Sequence, residues 1–160
     1  MKWKVVKIPL RKALRNYLIS DKIEWFFEKL CYNSTKVKVC PECFGGLPIP
    51  RVPSEIRENK VFSKDNRDIT EEFLVGAEKT LEIAKENEVD FVILKERSPS
   101  CGSTHIYDGS FSGNIIPGQG ITAKRLTEEK IKVFSEENLE EIEKYLVELN
   151  KIRRSYGKII

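Results

Sequence analysis

The chain has 160 residues, of which 40% are apolar and 33% charged, with a net charge of +3 at pH 7. This length suits one domain with a buried core, and the composition excludes a disordered chain. No apolar run approaches the roughly 20 residues of a membrane span, Met1-Lys2-Trp3-Lys4-Val5 lacks the apolar stretch of a secretory signal, and so small a charge gives no reason to expect nucleic acid. A cytoplasmic protein with no membrane role is expected.

In chain order, Lys2 to Ile8 reads as a strand stopped by Pro9. Asp21 can cap a helix whose Ile23, Phe26, Phe27 and Leu30 share one face. Lys36 to Val39 is a second strand. Gly45 and Gly46, then Pro48, Pro50 and Pro53, make a stiff irregular loop. Asp68 and Glu71 form a capping-box pattern before a helix with Phe73, Leu74, Ala77, Leu81 and Ala84 inward. Phe91 to Leu94 is an unbroken apolar strand, as a parallel sheet requires. A long Gly-, Ser- and Pro-rich loop runs from Ser98 to Gly120, a length that is usually functional or disordered. Ile131 to Phe134 is the last strand, and Ser135 caps a helix with Leu139, Ile142, Leu146 and Leu149 at core positions. Strands separated by helices predict one α/β domain over 1–152, with a mainly parallel, Rossmann-like sheet flanked by helices and a tail at 153–160.

Four cysteines in such a chain favour metal or redox chemistry over structural disulfides. Cys40-Pro41-Glu42-Cys43 follows the second strand, and Ser98-Pro99-Ser100-Cys101-Gly102-Ser103 follows the strand Phe91 to Leu94. Loops at the carboxyl ends of two strands of an open α/β sheet converge where ligands bind. The Cys-x-x-Cys spacing lets both sulfurs reach one centre: an iron–sulfur cluster, a zinc site with further ligands, or a dithiol redox pair. Buried inert thiols are the plain alternative, and this is the expectation for Cys31, beside Leu30 at a helix end. The turn around Cys101 is expected to present backbone N–H groups to an anion or to cluster sulfurs.

The motifs Cys40-Pro41-Glu42, Gly45-Gly46-Leu47-Pro48-Ile49-Pro50-Arg51-Val52-Pro53-Ser54-Glu55, Ser98-Pro99-Ser100-Cys101-Gly102, Tyr107-Asp108-Gly109-Ser110-Phe111-Ser112-Gly113 and Pro117-Gly118-Gln119-Gly120-Ile121-Thr122-Ala123 resemble the signatures of the DUF523 family, which includes 2-thiouracil desulfidase. The resemblance covers roughly Val37 to Glu136. It implies an enzyme that holds a [4Fe-4S] cluster through three cysteines and leaves one iron open for the sulfur of a thiolated nucleobase. Members usually carry a further cysteine at the end of the first strand; here that segment reads Lys7-Ile8-Pro9-Leu10-Arg11. Cys43 is its expected substitute, which gives Cys40, Cys43 and Cys101 as the ligand set, with zinc as the alternative metal.

Around these cysteines, Glu42 is the expected general acid/base, or else a loop carboxylate that caps backbone N–H groups. Ser100 is the first choice among the serines for a catalytic hydroxyl, with Ser98 and Ser103 as substrate contacts or turn stabilisers. His105, the lone histidine, is a candidate proton donor or an ordinary polar residue. Arg51, in a proline-stiffened segment, anchors an anionic substrate or pairs with Glu55 or Asp108. Gly118-Gln119-Gly120 reads first as a tight turn, although a glycine loop entering a helix is in principle an anion site. The expected activity is hydrolytic removal of sulfur from a small thiolated nucleobase or nucleoside. Nucleic acid enters only as thiolated tRNA, and the sequence leaves the oligomeric state open. The alternatives are a non-catalytic cluster- or zinc-binding module and a dithiol oxidoreductase using Cys40 and Cys43.

Overall fold

The computed structural model describes residues 4–7 and 35–156. The helix expected from Asp21, Cys31 and the segment from Ile8 to Arg11 lie outside these residues, as do 157–160. At the centre is a four-stranded sheet of β1 (Lys4–Lys7), β2 (Thr35–Lys38), β5 (Phe91–Leu94) and β8 (Val133–Ser135), in the order β2-β1-β5-β8 with every pair parallel. The chain runs from β1 to one neighbour, β2, and then crosses to β5 on the other side of β1. The loops after β2 and β5, which carry the cysteines, therefore leave the same edge of the sheet on either side of β1.

All four residues of β5 are buried, so its side chains supply two cores. Phe91 and Ile93 pack with Phe134 of β8 and with Ile142 and Leu146 of α4 (Leu139–Tyr156). Phe91, Phe134 and Tyr145 meet edge to face at centroid distances of 5.2 to 5.9 Å, an arrangement favoured by the ring quadrupole. Val92 and Leu94 face the other way, onto Leu81 and Ala84 of α2 (Thr70–Glu86) and Ala123 and Leu126 of α3 (Ile121–Glu128). Cys101 belongs to this second core. Burying each large apolar side chain contributes about 1.5–3 kcal/mol.

The parallel sheet is the centre of the fold but not all of it. Two antiparallel hairpins lie outside it, β3 (Ser54–Arg57) with β4 (Lys60–Ser63) and β6 (His105–Tyr107) with β7 (Ile115–Pro117). The second hairpin lies inside the long loop read from Ser98 to Gly120. The first turns through Glu58 and Asn59, both at positive φ (50° and 63°). That backbone suits a two-residue hairpin, but Glu is not a residue that announces it.

Other boundaries move for local reasons. The capping box does not form. Ile69 is the cap residue of α2, and the Asp68 carboxylate instead accepts from the Thr70 N–H (3.1 Å) and hydroxyl (2.6 Å). Leu74 is 45% exposed rather than inward. Lys130 closes α3 at φ 62°, which delays the last strand from Ile131 to Val133. Ser135 lies in that strand, and Asn138 takes the capping role by accepting the Glu141 N–H at 3.3 Å. The final helix runs to Tyr156, so 153–156 is helical rather than tail.

Candidate active site

Cys40 ends the segment after β2, and Pro41 opens the one-turn helix α1 (Pro41–Phe44). Pro suits a first helical position because its missing N–H has no partner there to lose. The single turn puts Cys43 next to Cys40. Gly76 fixes this turn against α2, since a Cβ there would collide with the Pro41 carbonyl, and a Cβ on Gly45 would collide with the backbone of Glu72. Backbone therefore lies on backbone. Lys79 adds a hydrogen bond to the Phe44 carbonyl at 2.9 Å.

Arg51 returns from the proline-rich loop to close the cluster. Its Nη1 donates to Glu42 Oε2 at 2.7 Å, and its Nη2 to Cys43 Sγ at 3.2 Å and, more weakly, to Cys40 Sγ at 3.8 Å. The side chains of Arg51 and Glu42 are only 10% and 23% exposed, so this ion pair is shielded from water. Burial works against the Arg51 charge, but Glu42 and then the two sulfurs outweigh it and hold the guanidinium more firmly protonated than usual. Burial also raises the Cys40 thiol, against the neighbouring Cys43 N–H. Among the described residues, Arg51 Nε is a buried side-chain donor with no hydrogen-bond partner. Arg51 thus pairs with Glu42, not with Glu55 or Asp108. Glu55 instead accepts the N–H groups of Gly109 (3.0 Å) and Phe111 (2.9 Å), and Asp108 accepts that of Ser110 (2.9 Å).

The Cys101 turn is tied differently. Ser98 Oγ accepts the N–H groups of Ser100 (3.1 Å) and Cys101 (3.2 Å), and the Ser98 carbonyl accepts that of Gly102 (2.8 Å). The backbone donors expected to face an anion are therefore spent inside the turn. The start of α3 is spent too: Ile121 N–H donates to the Pro99 carbonyl, and Thr122 and Ala123 N–H donate to that of Ser100. Gly118-Gln119-Gly120 is not the tight turn expected but an irregular link from β7 to α3, and its glycine N–H groups go to Thr104 and Gly102. A Cβ on Gly120 would strike the Ser100 backbone. Ser100 is fully buried, with its hydroxyl 2.9 Å from that of Thr122. Burial pushes the Cys101 thiol up to about 12, against the Ser100 hydroxyl, and the charges of Glu42 and Cys40 add to the rise. Cys101 is therefore within electrostatic reach of the Arg51 cluster.

Ser103 and His105 point elsewhere. Ser103 Oγ donates to Glu96 at 2.7 Å, and the exposed His105 ring contacts the Thr104 hydroxyl at 3.0 Å. Both residues line an open groove of about 700 Å³ that runs along β8 and contains none of Cys40, Cys43 and Cys101. Glu96, which the sequence reading passed over, is the anchor of this end of the turn. It is 5% exposed and accepts the N–H groups of Thr104 (2.9 Å) and His105 (2.7 Å) as well as the Ser103 hydroxyl. Its own N–H goes to the buried Glu136 carboxylate at 2.7 Å. An acid two residues past a buried strand carries no sequence signal for such a role, and neither does Thr122.

Among the described residues, no three His, Cys, Asp or Glu side chains stand together as ligands for one metal ion, and nothing supports the zinc alternative. A [4Fe-4S] cluster asks for something different, because its thiolates sit on separate irons. Three thiols and a carboxylate, with one guanidinium to balance them and one buried donor unfilled, fit such a group.

The sequence pattern of the 2-thiouracil desulfurase family matches residues 12–138, and the chain belongs to that family. It is 41% identical over 137 residues to the uncharacterized protein YbbK of Bacillus subtilis (strain 168), covering 79% of this chain and 88% of that one. The solved structure of the [4Fe-4S]-dependent thiouracil desulfidase TudS is similar at a TM-score of 0.73 and 33% identity, over 91% of this chain and 99% of that one. Among the described residues, no helix is long and apolar enough to cross a membrane.

Proposed function

We propose that this chain is an iron–sulfur-dependent desulfidase that hydrolyses a thiolated uracil-type base or nucleoside to the oxo base and hydrosulfide. The observation that carries this reading is the guanidinium of Arg51, which ties Glu42 to the sulfurs of Cys40 and Cys43 in a chain of the 2-thiouracil desulfurase family. Cys40, Cys43 and Cys101 would hold a [4Fe-4S] cluster. When bound, that group would supply a Lewis acid suited to soft sulfur.

The chain's own residues do the rest. Glu42, held by Arg51, takes one proton from a water molecule as the new C–O bond forms at the thiocarbonyl carbon. The C–S bond then breaks, the sulfur leaves as hydrosulfide with the second proton of that water, and Glu42 returns its proton to solvent. No electrons are gained or lost, so turnover needs no reductant. Ser98 and Ser100 shape the Cys101 turn, and Ser100 holds its hydroxyl toward the thiol. Anaerobically purified protein is expected to be brown and to convert 2-thiouracil to uracil and sulfide without an electron donor. A requirement for a reductant in every turnover overturns the hydrolytic step.

A second reading, a dithiol oxidoreductase, draws on the contact of one guanidinium with both Cys40 and Cys43. Colourless protein that reduces a small disulfide through these two thiols would replace the first reading with the second.

A further inference from the structure

Arg51 has a buried donor that none of its known partners uses. A guanidinium carries five N–H bonds in a fixed plane. Here Nη1 is on a carboxylate and Nη2 on two sulfurs, while Nε is buried with no acceptor among the described residues. The side chain is 10% exposed, which leaves bulk water no route to satisfy it. An unfilled buried donor costs about 1–3 kcal/mol, and more on a charged group.

The geometry of the plane says where an acceptor belongs. The Nε–H bond is parallel to one N–H of Nη2, so both point from the same edge of the guanidinium. Nη2 itself meets Cys43 Sγ at 3.2 Å and Cys40 Sγ at 3.8 Å, spacings ordinary for sulfur. The carboxylate of Glu42 sits on the other end, at Nη1. The unused donor therefore belongs to a cation whose neighbouring nitrogen touches sulfur, and it is shielded from solvent.

We propose that the Nε–H edge of Arg51 is a receptor for anionic sulfur. Two sources share this chemistry: the hydrosulfide that departs from the substrate, or an inorganic sulfide of the cluster. The inference rests on the desulfidase reading for the origin of the sulfur, but not for the existence of the receptor. No redox change is involved; the sulfur accepts a hydrogen bond and keeps its electrons.

The test uses anaerobic, metal-free, ¹⁵N-labelled protein. The Arg51 Nε–H resonance is assigned by its loss in Arg51→Lys, and independently by its response to Glu42→Gln, should the lysine variant not fold. Sodium hydrosulfide should shift this resonance downfield to saturation, at concentrations at least about tenfold below those at which chloride or formate act. No shift with hydrosulfide, or equal response to formate, overturns the proposal. The cluster-reconstituted enzyme then separates the sources. If the departing sulfur occupies the edge, Arg51→Lys should weaken product inhibition by hydrosulfide about tenfold; if cluster sulfide occupies it, inhibition should be unchanged and the variant should instead bind less iron. A saturable shift in a protein that never desulfurises 2-thiouracil would sink the proposed function and leave the receptor standing. Turnover with no shift does the reverse.

Discussion

The loop that carries Cys40 and Cys43 and the turn that carries Cys101 leave the same edge of one sheet, yet they are built on opposite terms. In the first, the functional atoms belong to side chains, half-buried and charged, and one buried donor has no partner among the described residues. In the second, the polar atoms are paired with one another: Ser98 caps the turn, α3 is clamped onto its carbonyls, and Cys101 is 3% exposed. The difference separates a reactive wall from a rigid one. Charge and an unfilled donor gather where chemistry is to be done, and saturation gathers where a single thiol has only to be held in place.

The largest expected effect is loss of a ligand from either side. Cys40→Ala, Cys43→Ala and Cys101→Ala should each strip the brown absorbance and reduce desulfidation to background, while Cys31→Ala should leave iron content near wild type. Iron loss confined to Cys31→Ala would remove Cys43 from the ligand set. Next comes Glu42→Gln, which should keep the iron and slow turnover by about 10²–10⁴-fold; full activity in this variant would break the proposed division of labour.

Smaller effects probe the rigid elements. Gly76→Ala drives a methyl into the Pro41 carbonyl, and overpacking of this kind costs about 1–3 kcal/mol. In a chain of this size the thermal midpoint should fall by about 2–4 °C per kcal/mol. Glu96→Gln tests the anchor of the Cys101 turn through pH. Burial pushes the Glu96 carboxyl up, but donors from Ser103, His105 and Thr104 outweigh it and hold it below the usual range. A carboxylate depressed in the folded state stabilises above its unfolded value, about 4.3, and loses that contribution as pH falls through its folded value. The stability gap between wild type and Glu96→Gln should thus be full at pH 7 and close in acid. Glu136, raised first by burial and also by the charge of Glu96, has the opposite sign, and the burial part of its shift is common to both proteins. A gap that does not change with pH would show that Glu96 acts only by its shape. The smallest effect belongs to His105→Gln: stability within about 0.5 kcal/mol and an unchanged KM. A raised KM would bring the groove along β8 into substrate binding.

What the sequence disclosed follows the same division. The buried strand from Phe91, the helix that carries Phe73, Ala77, Leu81 and Ala84, and the core positions Ile142 and Leu146 were legible because apolar periodicity is a local property. Cys40 and Cys43 could be picked out because a Cys-x-x-Cys pair is uncommon in ordinary loops, Glu42 because it lies between them, and Arg51 because prolines flank it. Their pairing could not: the contact between Arg51 and Glu42 depends on how a proline-rich loop folds back, and sequence spacing favoured Glu55 or Asp108 equally well. The hairpin at Glu58 and Asn59 stayed hidden because a left-handed glutamate is an unadvertised turn. Glu96 stayed hidden because its four partners are assembled by the fold.

Where Gly76 and Gly45 let two stretches of main chain touch, the protein reads size rather than chemistry. A change of charge or nucleophile on this wall can therefore leave the main chain where it is, whereas any side chain at these two positions displaces it. The reactivity of the site is open to revision; the path of its backbone is not.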